Sequence, residues 1–210
     1  FAARGRIFSY DPGTDEWTEL EPMPEGTERG SSAIVVLDNQ IYLAGGLRGG
    51  AVADFASFQP GADPAWETLP DAPRPVDHAA YGAIDGKLVI AGGRDSDIGA
   101  HSDRVDIYDP AEGEWSSGTV MPTSRGGVAG AVLNGHLYVF GGEGNPDAAS
   151  GVFDDVEAYD LADDTWETLD PMPNPRHGMG AVAVDGRVIV PGGADERAFA
   201  AVETVTAYIP

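Results

Sequence analysis

The sequence predicts an all-β chain, a β-propeller of four-stranded antiparallel blades with about four blades present. Three observations carry that prediction. Gly-Gly pairs recur at Gly45 and Gly46, Gly92 and Gly93, Gly141 and Gly142, and Gly192 and Gly193, at a period of 47 to 51 residues. The four tryptophans, Trp17, Trp66, Trp115 and Trp166, keep that period, as do Tyr10, Phe58, Tyr108, Tyr159 and Tyr208. Within each period apolar residues alternate on both sides of a two-residue turn, and no helical period appears.

The elements follow in chain order. Gly5 to Tyr10 and Trp17 to Leu20 read as the third and fourth strands of a first blade. Next comes SSAIVVLDNQIYLAGG, repeated as AAYGAIDGKLVIAGG, GVAGAVLNGHLYVFGG and MGAVAVDGRVIVPGG. Asp38-Asn39, Asp85-Gly86, Asn134-Gly135 and Asp185-Gly186 at their centres suit a type I′ turn, in which both residues need positive φ. Each segment is therefore a hairpin. A third strand then ends in an aromatic (FASFQP, RVDIYDP, VEAYDL, VTAYIP), an acidic turn follows, and Trp opens a fourth strand (WETL, WSSG, WETL). Pro-rich stretches such as DAPR and PMPN close the copies. The boundaries expected are a partial blade over 1–24, blades over 25–73, 74–122 and 123–173, and a partial blade over 174–210, seventeen strands in all. Long unpaired edges template aggregation unless they are covered. The expectation is thus a segment of a larger six- or seven-bladed ring, completed by further blades of the same chain or by a larger assembly.

Double glycine after an apolar strand, then Tyr, Trp and Pro-x-x-Arg at set distances, resembles the kelch repeat, and the resemblance covers nearly the whole chain. The glycines and aromatics have a structural reading. Crowded blades need Gly where a neighbouring backbone or ring approaches, and Tyr and Trp fill the widening wedge between blades.

Composition limits function. There is no Cys, so disulfides, thiolate metal sites and Cys nucleophiles are excluded. No apolar run approaches a membrane span of roughly 18 residues. Thirty-five acidic residues against twelve basic ones give a formal charge of −23, which repels nucleic acid and anionic membrane surfaces. Eleven of the twelve bases are Arg, and Lys87 is the one Lys. This Lys-poor, acidic composition resembles that of halophilic proteins, in which dense carboxylates stay hydrated at high salt. A soluble protein, cytoplasmic or secreted, is expected.

Alternating strand direction sorts the charges onto two rims. The rim of the hairpin turns and the turns before Trp is acidic, and its bases are Lys87 and Arg187. The other rim carries most of the arginine. Arg29, Arg125 and Arg176 each stand sixteen residues before the first Gly of their pair, at the entrance to the innermost strand, while the equivalent place in the 74–122 repeat is Val76 with Arg74 two residues earlier. Arg29, Arg74, His78, Arg125, Arg176 and His177 are the expected binding residues. Arg grips carboxylates through two parallel hydrogen bonds, and in the kelch family this rim is the usual binding face.

No catalytic or metal motif stands in the sequence. The four His lie in separate repeats without His-x-x-x-His spacing, and neither a Gly-x-x-x-x-Gly-Lys loop nor a Gly-x-Ser-x-Gly elbow occurs. No cofactor or metal is expected. The function expected is a non-catalytic binding module that recognises a protein or an acidic small ligand or carbohydrate. The alternative, implied by similarity to six-bladed kelch enzymes, is a carbohydrate-active epimerase of the sialic-acid mutarotase type. His78 or His177 would there pair with Arg125 or Arg176. The similar copper-radical oxidases need a Cys fused to Tyr, which this chain lacks.

Overall fold

A computed structural model describes residues 3–210. Among the described residues are seventeen strands in five antiparallel sheets. Blade 1 pairs β1 (Ile7–Asp11) with β2 (Glu16–Leu20). Blade 2 is β3 (Ala33–Leu37), β4 (Gln40–Ala44), β5 (Phe55–Phe58) and β6 (Trp66–Leu69). Blade 3 is β7 (Ala80–Ile84), β8 (Lys87–Ala91), β9 (Val105–Asp109) and β10 (Glu114–Gly118). Blade 4 is β11 (Ala129–Leu133), β12 (His136–Phe140), β13 (Val156–Asp160) and β14 (Thr165–Thr168). Blade 5 is β15 (Val182–Val184), β16 (Arg187–Pro191) and β17 (Val205–Tyr208).

Strand order within each sheet is sequential, and the first strands of successive blades meet one another, β3 with β7, β7 with β11 and β11 with β15. These first strands therefore surround the axis. The hairpins turn as the sequence requires: both central residues have positive φ at Asp38 and Asn39 (47° and 63°), Asp85 and Gly86 (48° and 76°), Asn134 and Gly135 (52° and 83°) and Asp185 and Gly186 (49° and 72°). That twist matches the strands it joins.

The cores lie between blades. Leu88 of blade 3 is buried with Val35 and Phe55 of blade 2, Leu137 of blade 4 with Val89 and Ile107 of blade 3, and Val188 of blade 5 with Tyr138 and Ala158 of blade 4. Leu88, Leu137 and Val188 are each wholly removed from solvent, a contribution of about 1.5–3 kcal/mol apiece. The aromatic of each third strand pairs across the ladder with the Trp of the fourth, as in Phe58 with Trp66, Tyr108 with Trp115 and Tyr159 with Trp166. Each of these indoles donates to a carbonyl of the preceding blade's trailing segment, Trp66 to Glu21, Trp115 to Pro70 and Trp166 to Thr119. Trp17 lies beside Tyr10 in the same arrangement but is 69% exposed.

The double glycine is a docking point for the next blade. The amides of Gly46, Gly93 and Gly142 donate to the carbonyls of Val76, Arg125 and Arg176, at 2.8, 2.9 and 3.0 Å. Gly141 has φ 57°, and a Cβ there would stand 2.1 Å from the Arg176 carbonyl oxygen. Only Gly fits.

Candidate functional site at the channel mouth

The arginines at the entrance to the innermost strands keep the predicted position, but their guanidiniums turn into the blades rather than out to the rim. A first Gly at positive φ swings its carbonyl out of the ladder, and an Arg answers each such carbonyl. Arg29 donates to Gly45 O at 2.8 Å, Arg125 to Gly141 O at 2.7 Å and Arg176 to Gly192 O at 2.6 Å. Arg29 is 6% exposed, and Arg125 and Arg176 are 0% exposed. Burial lowers the pKa of Arg29 and of Arg176. Arg125 also pairs with the buried Glu157, and Arg176 donates to Thr206 Oγ1 at 2.7 Å. Arg74 reaches the same target from two residues earlier, donating to Gly92 O at 2.8 Å and to Asp106 at 2.7 Å. These four side chains hold the β-meander together, each spending donors on a carbonyl inside its blade. The pairing of His78 or His177 with a free Arg125 or Arg176 guanidinium, which the enzyme resemblance implies, is not formed.

The mouth of the channel is built by the residues that follow. Gly30, Asp77, Gly126 and His177 bridge to Leu47, Arg94, Glu143 and Ala194, the residues just after each glycine pair. Beyond them Ser31, His78, Gly127 and Gly178 all take left-handed backbone, at φ 56°, 52°, 68° and 62°. The amides link this set around the axis: His78 N donates to Ser31 O, Gly127 N to His78 O and Gly178 N to Gly127 O.

Four charged or titratable side chains converge here, out of water. Arg94 Nε donates to Asp77 Oδ1 at 3.0 Å, and its Nη1 donates to Glu143 Oε1. Asp77 Oδ1 also meets His78 Nδ1, and its Oδ2 accepts from Ser96 N at 2.8 Å. His177 Nδ1 lies 3.6 Å from Glu143 Oε1. Asp77 is 1% exposed, Glu143 4%, His177 6% and Arg94 8%. Burial opposes ionisation of Asp77, but hydrogen bonds from His78, the Ser96 amide and Arg94 outweigh it and hold the carboxyl below its usual range. Burial opposes ionisation of Glu143 in the same way, and Arg94, His177 and the Ala198 amide bring it below the usual range too.

The network ties the rim loops into one surface. The 94–102 loop is joined to the 47–51 loop by Ala51 N donating to Ser96 Oγ at 2.7 Å, and to the 143–151 loop by Arg94 and Glu143. His101 packs edge-on to Phe153, and a Cβ on Gly144 would stand 2.1 Å from its Nε2. The 194–199 loop is held by Ala198 N on Glu143 Oε2 at 3.2 Å and Arg197 N on Ser150 O at 2.8 Å. At its tip Phe199 is 96% exposed. Asp95, Asp97, Asp147, Asp195 and Glu196 point to solvent on the same loops.

Of the six expected binding residues, the structure brings His78 and His177 to this network and keeps the four arginines within the blades. Sequence reasoning did not single out Asp77, Arg94 or Glu143. A signal existed: the residue after each glycine pair is Leu47, Arg94, Glu143 or Ala194, charged in two copies and apolar in the others.

A family model described as the KLHDC2/KLHL20/DRC7 Kelch-repeats domain matches residues 4–193. Kelch-like protein terF of Aspergillus terreus is 40% identical over 200 residues, covering 91% of this chain and 43% of that protein. Kelch-like protein 34 of Homo sapiens is 31% identical over 194 residues, covering 90% of this chain and 29% of its own length. The chain thus spans less than half the length of these relatives. Among solved structures, that of YjhT aligns with a TM-score of 0.77 at 18% identity, covering 91% of this chain and 66% of that one, a likeness of fold.

Proposed function

Since the chain belongs to the kelch-repeat family, we propose that it is a binding module whose working face is the channel-mouth rim, made by loops 47–51, 94–102, 143–151 and 194–199, and that its partner is a protein. The observation that carries this reading is the cross-linking of all four loops through Ser96, Arg94, Glu143 and the 197–198 backbone. A surface fixed before binding loses little ordering entropy when a partner arrives. Phe199 supplies an exposed aromatic of the kind that anchors interfaces.

The sign of the partner's charge follows from which rim groups are free. Arg29, Arg125 and Arg176 are committed to carbonyls, and Arg48 is paired with Asp54. The exposed carboxylates of Asp95, Asp97, Asp147 and Asp195 outnumber the remaining bases. A basic segment with an apolar side chain suits this rim better than the acidic ligand that the arginine count suggested.

Peptides selected from a displayed random library on the immobilised chain provide the test. Selected sequences should be enriched in Lys, Arg and large apolar residues, and Phe199→Ala should weaken them about tenfold, as loss of an interface anchor does. Peptides rich in Asp and Glu, bound equally well by Phe199→Ala and by Asp95→Asn/Asp97→Asn, would sink the reading.

A further inference from the structure

We propose that Ser31, His78 and Asp77 form a nucleophile, general base and orienting carboxylate at the junction of blades 2 and 3, and that the channel mouth there hydrolyses small carboxylic esters by acyl transfer to Ser31. The three groups meet the geometric requirement for such a set, which is recognised by roles and not by sequence order. Ser31 Oγ lies 3.2 Å from His78 Nε2, and His78 Nδ1 is in hydrogen-bond contact with Asp77 Oδ1. Ser31 and His78 are 47 residues apart in the chain, so no local motif announces them.

The roles follow from the surroundings. Asp77 is fully enclosed and additionally holds Ser96 N and Arg94 Nε, which keeps it ionised and fixed. An ionised Asp77 accepts a hydrogen bond from His78 Nδ1–H, and this tautomer leaves a lone pair on Nε2 facing the Ser31 hydroxyl. Arg94 Nη2 lies 3.3 Å from His78 Nδ1, so the charges facing the imidazole are one carboxylate and one guanidinium. Ser31 is exposed, and the His78 side chain keeps 28% of its surface, so both are open to a substrate.

Backbone conformation supports the same assignment. At the ring of left-handed residues around the axis, blades 4 and 5 use Gly127 and Gly178, which adopt positive φ without steric cost. Blades 2 and 3 place Ser31 and His78 there instead, and these are the two side chains that touch. Non-glycine residues at such angles are strained and cluster at functional sites.

In the reaction, Ser31 Oγ bonds to the ester carbonyl carbon as its proton passes to His78 Nε2. The bond from that carbon to the leaving alkoxide then breaks, and the alkoxide takes the proton from Nε2. A water molecule gives a proton to His78 and adds to the acyl carbon, the bond to Ser31 Oγ breaks, and Ser31 regains its proton as the carboxylic acid departs. The exposed Asp95 and Asp97 of the neighbouring loop favour a neutral or cationic ester over an anionic one.

A fluorophosphonate probe incubated with the full chain should place its phosphonyl adduct on Ser31, located by peptide mass spectrometry. The chain should also hydrolyse p-nitrophenyl acetate, while Ser31→Ala abolishes both signals. His78→Gln should slow both by about a hundredfold or more, the usual contribution of a general base. A cationic choline ester should be cleaved faster than an anionic succinate ester. Ser31 and His78 lie at the surface, so the variants should keep the wild-type circular dichroism. No adduct on Ser31, or ester hydrolysis unchanged in Ser31→Ala, overturns the proposal, and neither result bears on peptide capture by Phe199.

Discussion

The body of the blades and the mouth of the channel are made from the same repeat, yet they treat its variation in opposite ways. In the body, the register can shift and the job is kept: Arg29, Arg74, Arg125 and Arg176 all reach the carbonyl of a first Gly, although Arg74 does so from a shifted position. Their second partners vary as well, Asp106 in blade 3, Glu157 in blade 4 and Thr206 in blade 5. At the mouth the backbone is kept and the side chains diverge, so that Gly30, Asp77, Gly126 and His177 occupy one structural place. A position whose chemistry persists despite a shift in register is holding the fold. A position whose chemistry changes while its backbone persists is free to take on specificity.

The largest effect that would break this division concerns Arg125. Its guanidinium and the Glu157 carboxylate are both fully buried and paired, so Arg125→Ala leaves an uncompensated charge inside blade 4. Breaking such a pair costs about 3–5 kcal/mol, whereas replacing both partners with apolar residues, Arg125→Met with Glu157→Leu, should cost much less. Urea denaturation of the two variants separates anchor from ligand grip: a cost under about 1 kcal/mol for Arg125→Ala would return this residue to the list of binding groups.

Next in size is Gly141→Ala. It combines a left-handed backbone with a clash against the Arg176 carbonyl, and should cost about 1–3 kcal/mol or more. Gly186→Ala is the matched control, because Gly186 has φ 72° and open space around it. It should lose only the backbone part. Equal losses at the two sites would show that the double glycine serves turning alone and not the docking of the next blade.

The division also explains what was legible in the sequence. The strands, the hairpin turns and the Trp and Tyr wedges were readable because each is a local pattern repeated at a fixed period, and Asp85-Gly86 or Trp115 needs no distant partner to be recognised. The placement of Arg125 was readable too, but its direction was not. Whether a guanidinium faces the rim or a carbonyl depends on the positive φ of Gly141, sixteen residues on, which turns that carbonyl toward it. The Asp77, Arg94 and Glu143 cluster stayed hidden for a different reason. Its members come from two blades and meet only when the blades pack, and in so acidic a chain a carboxylate by itself carries little information.

A smaller effect tests that cluster through pH. The folded protein holds Asp77 and Glu143 below the usual carboxylate range, so their stabilisation is complete above the unfolded-state values near 4 and is lost as pH falls through the lower folded values. Arg94→Met removes the shared cation. Acid unfolding of that variant should begin at higher pH than in the wild type, with the two stability curves differing least in shape above about pH 6. Superimposable acid limbs would mean that the network adds nothing to the fold beyond its packing.

Salt gives the finest comparison, because body and mouth should respond with opposite signs. The chain carries a formal charge of −23, with Asp11, Asp63, Glu112, Asp163 and Asp185 exposed on the turns of the acidic rim. Raising ionic strength from about 0.1 to 1 M shortens the screening length from roughly 10 to 3 Å and quiets repulsion among these groups. The melting temperature should therefore rise, by about 2–4 °C for each kcal/mol relieved in a domain of this size. Capture of a basic peptide at the channel-mouth rim should weaken over the same range, since the attraction of Asp95, Asp97 and Asp147 is screened by the same ions. A peptide affinity that rises with the melting temperature would mean that recognition rests on Phe199 and the apolar contacts around it, with the rim carboxylates serving solubility alone.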